Sequence, residues 1–245
     1  MFFLKKNTVL LKDLIPNNYI DIHSHLLPGI DDGAKSIEDT QELITELNKF
    51  GFTKFITTPH IMDGVWENTR SGIQNKKEET ILDLKTAGMN FPLKAAAEYM
   101  MDGGFLKTLE SEKLLTLKDD YVLVEMSYLN PPMNLYDILF ELQLEGYKPI
   151  LAHPERYNFF HGSLSEYKKL KTVGCSFQIN LLSTVGYYGP HVAKTAEYLL
   201  SNNMIDFTGS DVHHMKHVEF FHKKIVLKKH DNLITAFQNN LEFDF

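Results

Sequence analysis

Residues 19–35 read YIDIHSHLLPGIDDGAK: strand formers that end in two histidines one residue apart, then a Pro-Gly turn and an acidic pair. Alternate side chains of an extended chain share one face. His23 and His25 can therefore point together at one ion, with Asp21 or Asp32 near enough to add an oxygen donor. Imidazole with carboxylate suits zinc, manganese or iron and does not suit a thiolate site. Taken alone, the pair reads as readily as two histidines on a solvated strand end, so the decision rests on how the other strands end.

Six further β-like runs follow, at 53–58, 92–97, 121–126, 149–153, 176–180 and 205–209, making seven with 19–23. Segments with helical spacing separate them, at 36–50, 69–87, 105–111, 134–146, 163–173 and 190–202, and a last helix is predicted over 231–241. Gly51, Gly88, Gly146 and Gly174 stand where helices should stop, and Ser36 with Asp39 and Ser163 with Glu166 read as capping boxes. Such alternation implies an α/β fold of parallel strands with helical crossovers. No Ser/Gly linker or internal repeat divides the chain, so a single domain is expected.

The position of the chemistry favours a closed barrel over an open sheet. His23 and His25 follow the first run, His60 the second and Glu98 the third; Glu125 lies in the fourth, His153 ends the fifth, and Asp211 and His213 follow the seventh. A barrel gathers C-terminal strand ends into one ring, whereas an open sheet would spread them. Glu98 and Glu125 close the apolar runs AAAE and YVLVE, where an unpartnered carboxylate is costly. His60, after Pro59, would on its own read as an ordinary turn histidine. Arg156 offers a planar fork that matches phosphate oxygens; the plainer reading pairs it with Glu155 on the surface. His161, His191, His222 and His230 are expected to be solvated, and His214 and His217 stay open.

Composition narrows the function classes. A chain of 245 residues can bury about 70–75% of its unfolded surface. The formal charge of −7, with no basic stripe, argues against nucleic acid as partner. Cys175 is the only cysteine, so no disulfide framework exists, and the residue six positions on is Leu181, not the arginine a cysteine-nucleophile phosphatase would need. Residues 1–18, MFFLKKNTVLLKDLIPNN, are too short and too charged for a signal or a membrane span. They read as a lead-in to a barrel domain over 19–245, in a protein expected to be soluble and cytoplasmic.

Together, DIHSH (21–25), PGIDDGA (28–34), TPH (58–60), EM (125–126), AHPERY (152–157), QIN (178–180) with Ser183 and Gly186, and GSDVHH (209–214) resemble the PHP (polymerase and histidinol phosphatase) superfamily. More closely they look like its bacterial metal-dependent tyrosine-protein phosphatases of the CpsB/YwqE type, over residues 19–214. The resemblance implies a distorted (β/α)7 barrel and up to three divalent ions, manganese first, with iron or zinc as alternatives. The implied ligands are His23, His25, Asp32, His60, Glu98, Glu125, His153, Asp211 and His213, with Glu125 as the bridge. Arg156 would hold the phosphoryl group, and His60 or His213 would support the departing phenolate, while a metal-activated hydroxide attacks phosphotyrosine. The implied substrate is the tyrosine-rich tail of a bacterial kinase that governs capsule or exopolysaccharide synthesis.

Rival readings are another phosphoesterase on the same scaffold, a histidinol-phosphate phosphatase or a nuclease, and a non-catalytic regulator that binds phosphopeptide. Two departures stand out. Relatives carry an arginine soon after the last metal histidine, where this chain reads MKHVEFF (215–221), so Lys216 or His217 would have to replace it. Their Gly-Lys-Phe-Gly is here Gly186-Tyr187-Tyr188-Gly189.

Overall fold

The computed structural model describes residues 9–245. Every expected β-like run forms a strand, and two of them bend into two strands each. The strands are β1 (Tyr19–Asp21), β2 (Phe52–Thr57), β3 (His60–Ile61), β4 (Leu93–Ala95), β5 (Glu98–Met100), β6 (Tyr121–Glu125), β7 (Lys148–Ala152), β8 (Ser176–Asn180) and β9 (Phe207–Gly209). All their pairings are parallel, in the orders β1-β2-β4 and β3-β5-β6-β7-β8-β9.

The bend falls at Pro59, which has no N–H to give to a ladder, and at Ala96-Ala97 beside it. Hydrogen bonds cross the bend from Ala96 N to Thr57 O (2.9 Å) and from Glu98 N to Pro59 O (3.1 Å), so the two sheets form one curved surface. The third run therefore continues to Met100, past its expected end, and β9 starts two residues later than expected.

The ring closes between its first and last strands. Ser24 and Val212 form a parallel bridge, flanked by Asp211 N to His23 O (2.7 Å) and His25 N to Val212 O (3.0 Å). Below that bridge, β1 and β9 share no ladder among the described residues, and the fully buried Asn240 fills the gap. Its Nδ2 donates to Ile20 O and Thr208 O (2.9 Å each), and its Oδ1 accepts from Thr208 N (3.0 Å). Phe243, three residues on, stops the barrel floor against Phe207 and Tyr121, with ring centroids 4.9 and 5.4 Å away. The result is the distorted seven-run barrel.

Among the described residues eight α-helices cross between or follow the strands: α1 (Ile37–Asn48), α2 (Arg70–Thr86), α3 (Phe105–Ser111), α4 (Leu135–Leu144), α5 (Leu164–Thr172), α6 (Pro190–Ser201), α7 (Met215–Glu219) and α8 (Asp231–Asn239). The short α7 is not foreseen in the spacing. Ser36 and Asp39 form a reciprocal capping box on α1, whereas Ser163 gives α5 no side-chain cap and Glu166 instead accepts from Tyr136 Oη (2.9 Å). Strand alternation sorts the apolar residues into two layers: Ile20, Ile56, Leu123, Ile150 and Phe207 fill the barrel, while Phe52, Val122, Val124 and Phe177 face the helices. Leu11 and Ile15 of the expected lead-in are buried in the helix layer, with Leu11 N donating to Lys223 O (3.0 Å); residues 1–8 lie outside the described residues. Among the described residues no helix is long and apolar enough to cross a membrane.

Candidate metal centre

The barrel mouth is shaped by two unusual backbone positions and one glycine. His153 and Asp211, which follow β7 and β9, adopt left-handed conformations with φ of +35° and +50°. For residues with a Cβ this costs about 1–2 kcal/mol each, a strain that tends to concentrate at functional sites. At Gly209 a Cβ would lie 2.6 Å from both Gln178 Nε2 and His23 Cβ, so only glycine lets β9 close against its neighbours.

All nine side chains expected as ligands converge here, eight of them in three overlapping groups and His153 beside the second. In the first, His23 Nε2 lies 3.1 Å from Glu98 Oε2 and 3.3 Å from Asp211 Oδ1, and His25 Nε2 lies 3.5 and 3.3 Å from the same two atoms. In the second, His60 Nδ1 is 3.2 Å from Glu98 Oε2 and 2.9 Å from Glu125 Oε1, and His153 Nε2 is 3.1 Å from Glu98 Oε1. In the third, beside His25, the Nε2 atoms of His60 and His213 are each 3.4 Å from Asp32 Oδ1. Glu98 is shared between the first two groups, whereas Glu125, the expected bridge, belongs to one.

The donor set fits divalent ions. Glu98 Oε2, Glu125 Oε1 and His60 Nδ1 are buried, and although His60 Nδ1 lies within 3.2 Å of both oxygens, none of the three makes an aligned hydrogen bond. Lone pairs left this way are costly unless a cation takes them. Burial and then the charge of Glu98 push the Glu125 carboxyl up to about 7. Burial and His25 pull the His60 imidazole down, but the carboxylates of Asp32, Glu125 and Glu98 outweigh them and hold it near 10. The pocket thus draws positive charge, as a proton or as a metal.

Outer partners fix which ring nitrogen faces inward. Gln178 Nε2 donates to Ile179 O, so its Oε1 is left to accept from His23 Nδ1 (2.7 Å). Asp31 Oδ2 accepts from His25 Nδ1 (2.8 Å), and Asp211 O from His213 Nδ1 (2.9 Å). Each of these histidines then presents a bare Nε2 to the centre, the arrangement metal-binding imidazoles require. Asp31 and Gln178 were not singled out as site residues in the sequence; the only signal was an acid beside Asp32 and an amide inside an apolar strand. Asp21, the alternative oxygen donor, is spent elsewhere, accepting from Ser210 N (2.9 Å) and Ser210 Oγ (2.5 Å).

Arg156 does not pair with Glu155. Its Nη1 donates to Asp211 Oδ2 (2.7 Å), and its guanidinium carbon lies 4.7 Å from the Tyr128 ring centre and 4.1 Å from that of Tyr188. Asn180 Nδ2 ties this clamp together, donating to Tyr188 Oη (3.0 Å) and to Asp211 Oδ2 (2.8 Å). Glu155 is buried and accepts from Asn180 N (3.0 Å) and Ser183 Oγ (2.6 Å). Neither expected substitute for the missing arginine reaches the mouth. Lys216 is exposed on α7, and His217 Nδ1 accepts from His213 N (3.2 Å). His191 and His222 are exposed as expected, but His161 donates from Nε2 to Glu155 O (2.8 Å).

Above the carboxylates lies a cavity of about 300 Å³ walled by Met62, Trp66, Ser127, Tyr128 and Arg156, the lower end of the range for small-ligand sites. A family model described as capsular polysaccharide synthesis, CpsB/CapC, matches residues 19–226. Tyrosine-protein phosphatase YwqE of Bacillus subtilis is 30% identical over 198 residues, which cover 80% of this chain and 78% of that protein. A crystal structure of the metal-dependent tyrosine phosphatases YwqE from Bacillus subtilis and CpsB from Streptococcus pneumoniae matches with a TM-score of 0.76 at 29% identity, covering 82% of this chain and 84% of that one. Histidinol phosphate phosphatase from Lactococcus lactis shares the fold alone, with a TM-score of 0.53 at 13% identity over 83% of this chain and 90% of that one.

Proposed function

The chain belongs to the CpsB/CapC family, and from that premise we propose that it is a metal-dependent protein-tyrosine phosphatase linked to capsular polysaccharide synthesis. The observation that carries this reading is the convergence of nine acids and imidazoles, several with no partner of their own, beneath a cavity rimmed by a clamped arginine. The three groups would hold up to three ions, and manganese suits their nitrogen and oxygen donors. Bound there, the ions supply charge for phosphoryl oxygens and acidify water for in-line attack.

This chain's own side chains do the rest. Arg156 keeps Nη1 on Asp211 and offers its remaining N–H groups to the phosphoryl oxygens, with its plane held between two tyrosine rings. Met62, Trp66 and Tyr128 give the phenyl ring apolar walls. Of His60 and His213, both beside Asp32, His60 is the one to hydrogen-bond the departing phenolate oxygen, because His213 keeps its N–H on Asp211 O. A phenol is a fair leaving group, so no strong acid is required.

The substrate in this reading is a phosphotyrosyl polypeptide, the tail of a bacterial tyrosine kinase of capsule or exopolysaccharide export. The reaction then belongs in the cytoplasm. The test is phosphate release by manganese-loaded protein from a phosphotyrosine peptide, histidinol phosphate and single-stranded DNA. Turnover of the peptide above the other two is expected. Preference for either of the others would remove the tyrosine assignment, and peptide binding without turnover would make the chain a regulator.

A further inference from the structure

A second cavity, of about 330 Å³, opens beside the metal-centre cavity and shares Met62, Trp66 and Met100 with it as a common wall. The wall is a tight turn: Met62 N donates to Trp66 O and Trp66 N to Met62 O (2.9 Å each), and Val65 stands 60% exposed at its tip. Half-buried Ile61 joins Met62 and Trp66 as the apolar surface of the outer cavity, with Tyr99 and Phe105 buried behind it, and Asp63, Glu67 and Asp102 give it three carboxylates against the single ammonium of Lys107. None of the nine candidate ligands lines it.

Two cavities that share one layer of side chains suit two side chains of one extended strand. Residues i and i+2 point the same way and sit about 6.6 Å apart. Resting on the phosphotyrosine reading above, we propose that the outer cavity is a specificity subsite for the substrate residue two positions from the phosphotyrosine, and that it takes an apolar or aromatic side chain and rejects an acidic one. The apolar wall supplies the attraction, and the carboxylates supply the discrimination by like-charge repulsion. Continuity with the metal-centre cavity makes a polypeptide, and not a free small phosphomonoester, the occupant that uses both.

The test uses manganese-loaded full-length enzyme with phosphotyrosine peptides that carry Leu, Ala or Glu two residues before or two residues after the phosphotyrosine, plus phenyl phosphate. Each peptide kcat/KM is divided by the same protein's value on phenyl phosphate. From one side, Leu is expected to exceed Glu about tenfold, mainly through KM. Thr108→Trp, which fills the outer cavity from α3, should bring Leu down to the Ala value, and Glu67→Lys should narrow or reverse the Leu-to-Glu ratio. Equal rates on all peptides with the unaltered enzyme, or ratios unmoved by both variants, would overturn the subsite while leaving the phosphatase standing. If phenyl phosphate and every peptide go unhydrolysed, the phosphatase reading falls and the subsite with it.

Discussion

Arg156 Nη1 lies 2.7 Å from Asp211 Oδ2, and Asp211 Oδ1 is 3.3 Å from both His23 Nε2 and His25 Nε2. One carboxylate therefore links the guanidinium to the candidate ion sites, so the proposed anchor for a phosphoryl group and the candidate ligands beneath it are set in one geometry. Among the described residues no other arginine or lysine lines the metal-centre cavity, and Lys216 is exposed.

Arg156→Lys should keep the bound metal and raise KM for a phosphotyrosine peptide tenfold or more, about 1.4 kcal/mol. An ammonium keeps the charge and loses the fork and the stacking. Elemental analysis alongside steady-state kinetics checks this; a KM within twofold of the unaltered enzyme would show that the fork is not used.

Removing one ring of the clamp should act more weakly and in a graded way. Tyr188→Phe keeps the ring over Arg156 but frees Asn180 Nδ2 from Tyr188 Oη, a loss of about 0.5–1.5 kcal/mol. Tyr188→Ala removes the stack as well. Peptide KM is expected to rise in the order unaltered, Phe, Ala; the reverse order in the two variants would show that the ring contributes nothing.

Glu98→Gln should lower metal content more than Glu125→Gln does, since Glu98 faces two groups and Glu125 one. His23→Ala should lose metal and turnover together. Metal stoichiometry after dialysis is the measurement, and full occupancy in the His23 variant would separate that side chain from the ions.

Burial pushes the Glu155 carboxyl up from its ordinary 4.5 to about 7. The folded protein thus holds a proton that the unfolded chain has already given up. The contribution is fully present below about pH 4.5 and is lost as pH rises through about 7, an effect on the order of 3 kcal/mol. Between pH 5 and pH 8 the urea midpoint should fall further in the unaltered protein than in Glu155→Gln. Identical slopes would show that the group is not held neutral.

Much of the barrel could be read from the chain because its period is regular. Strands buried on both faces give short apolar runs, helices give 3.6-residue spacing, and strand ends deliver polar atoms where a core residue would be apolar. The misses have local causes. The bend at Pro59 and Ala96-Ala97 keeps its hydrogen bonds, so it leaves no polar interruption in the AAAE run. Ser163 and Glu166 have cap spacing, but Tyr136 from another helix takes the glutamate. Tyr128, Tyr188 and Gln178 act through residues far away in sequence, and Asp31 through His25 six positions back across a turn; no periodicity marks such contacts. The sharing of Glu98 between groups is likewise a property of five strands together.

Asn240→Ala should destabilise the fold by about 2–4 kcal/mol, because Thr208 N, Thr208 O and Ile20 O would be left buried with one partner fewer. Chemical denaturation of metal-free protein measures this, and a loss under about 0.5 kcal/mol would show that the seam holds without the amide.

That seam also sets an order of events during synthesis. His23 and His25 leave the ribosome early, yet the strand that carries them is stitched to its partner by an amide more than two hundred residues downstream. At roughly 5–20 residues per second, a nascent chain waits about ten to forty seconds with its first histidines unpaired. A chain released short of Asn240 would carry all nine candidate ligands and still lack the amide that joins the first strand to the last.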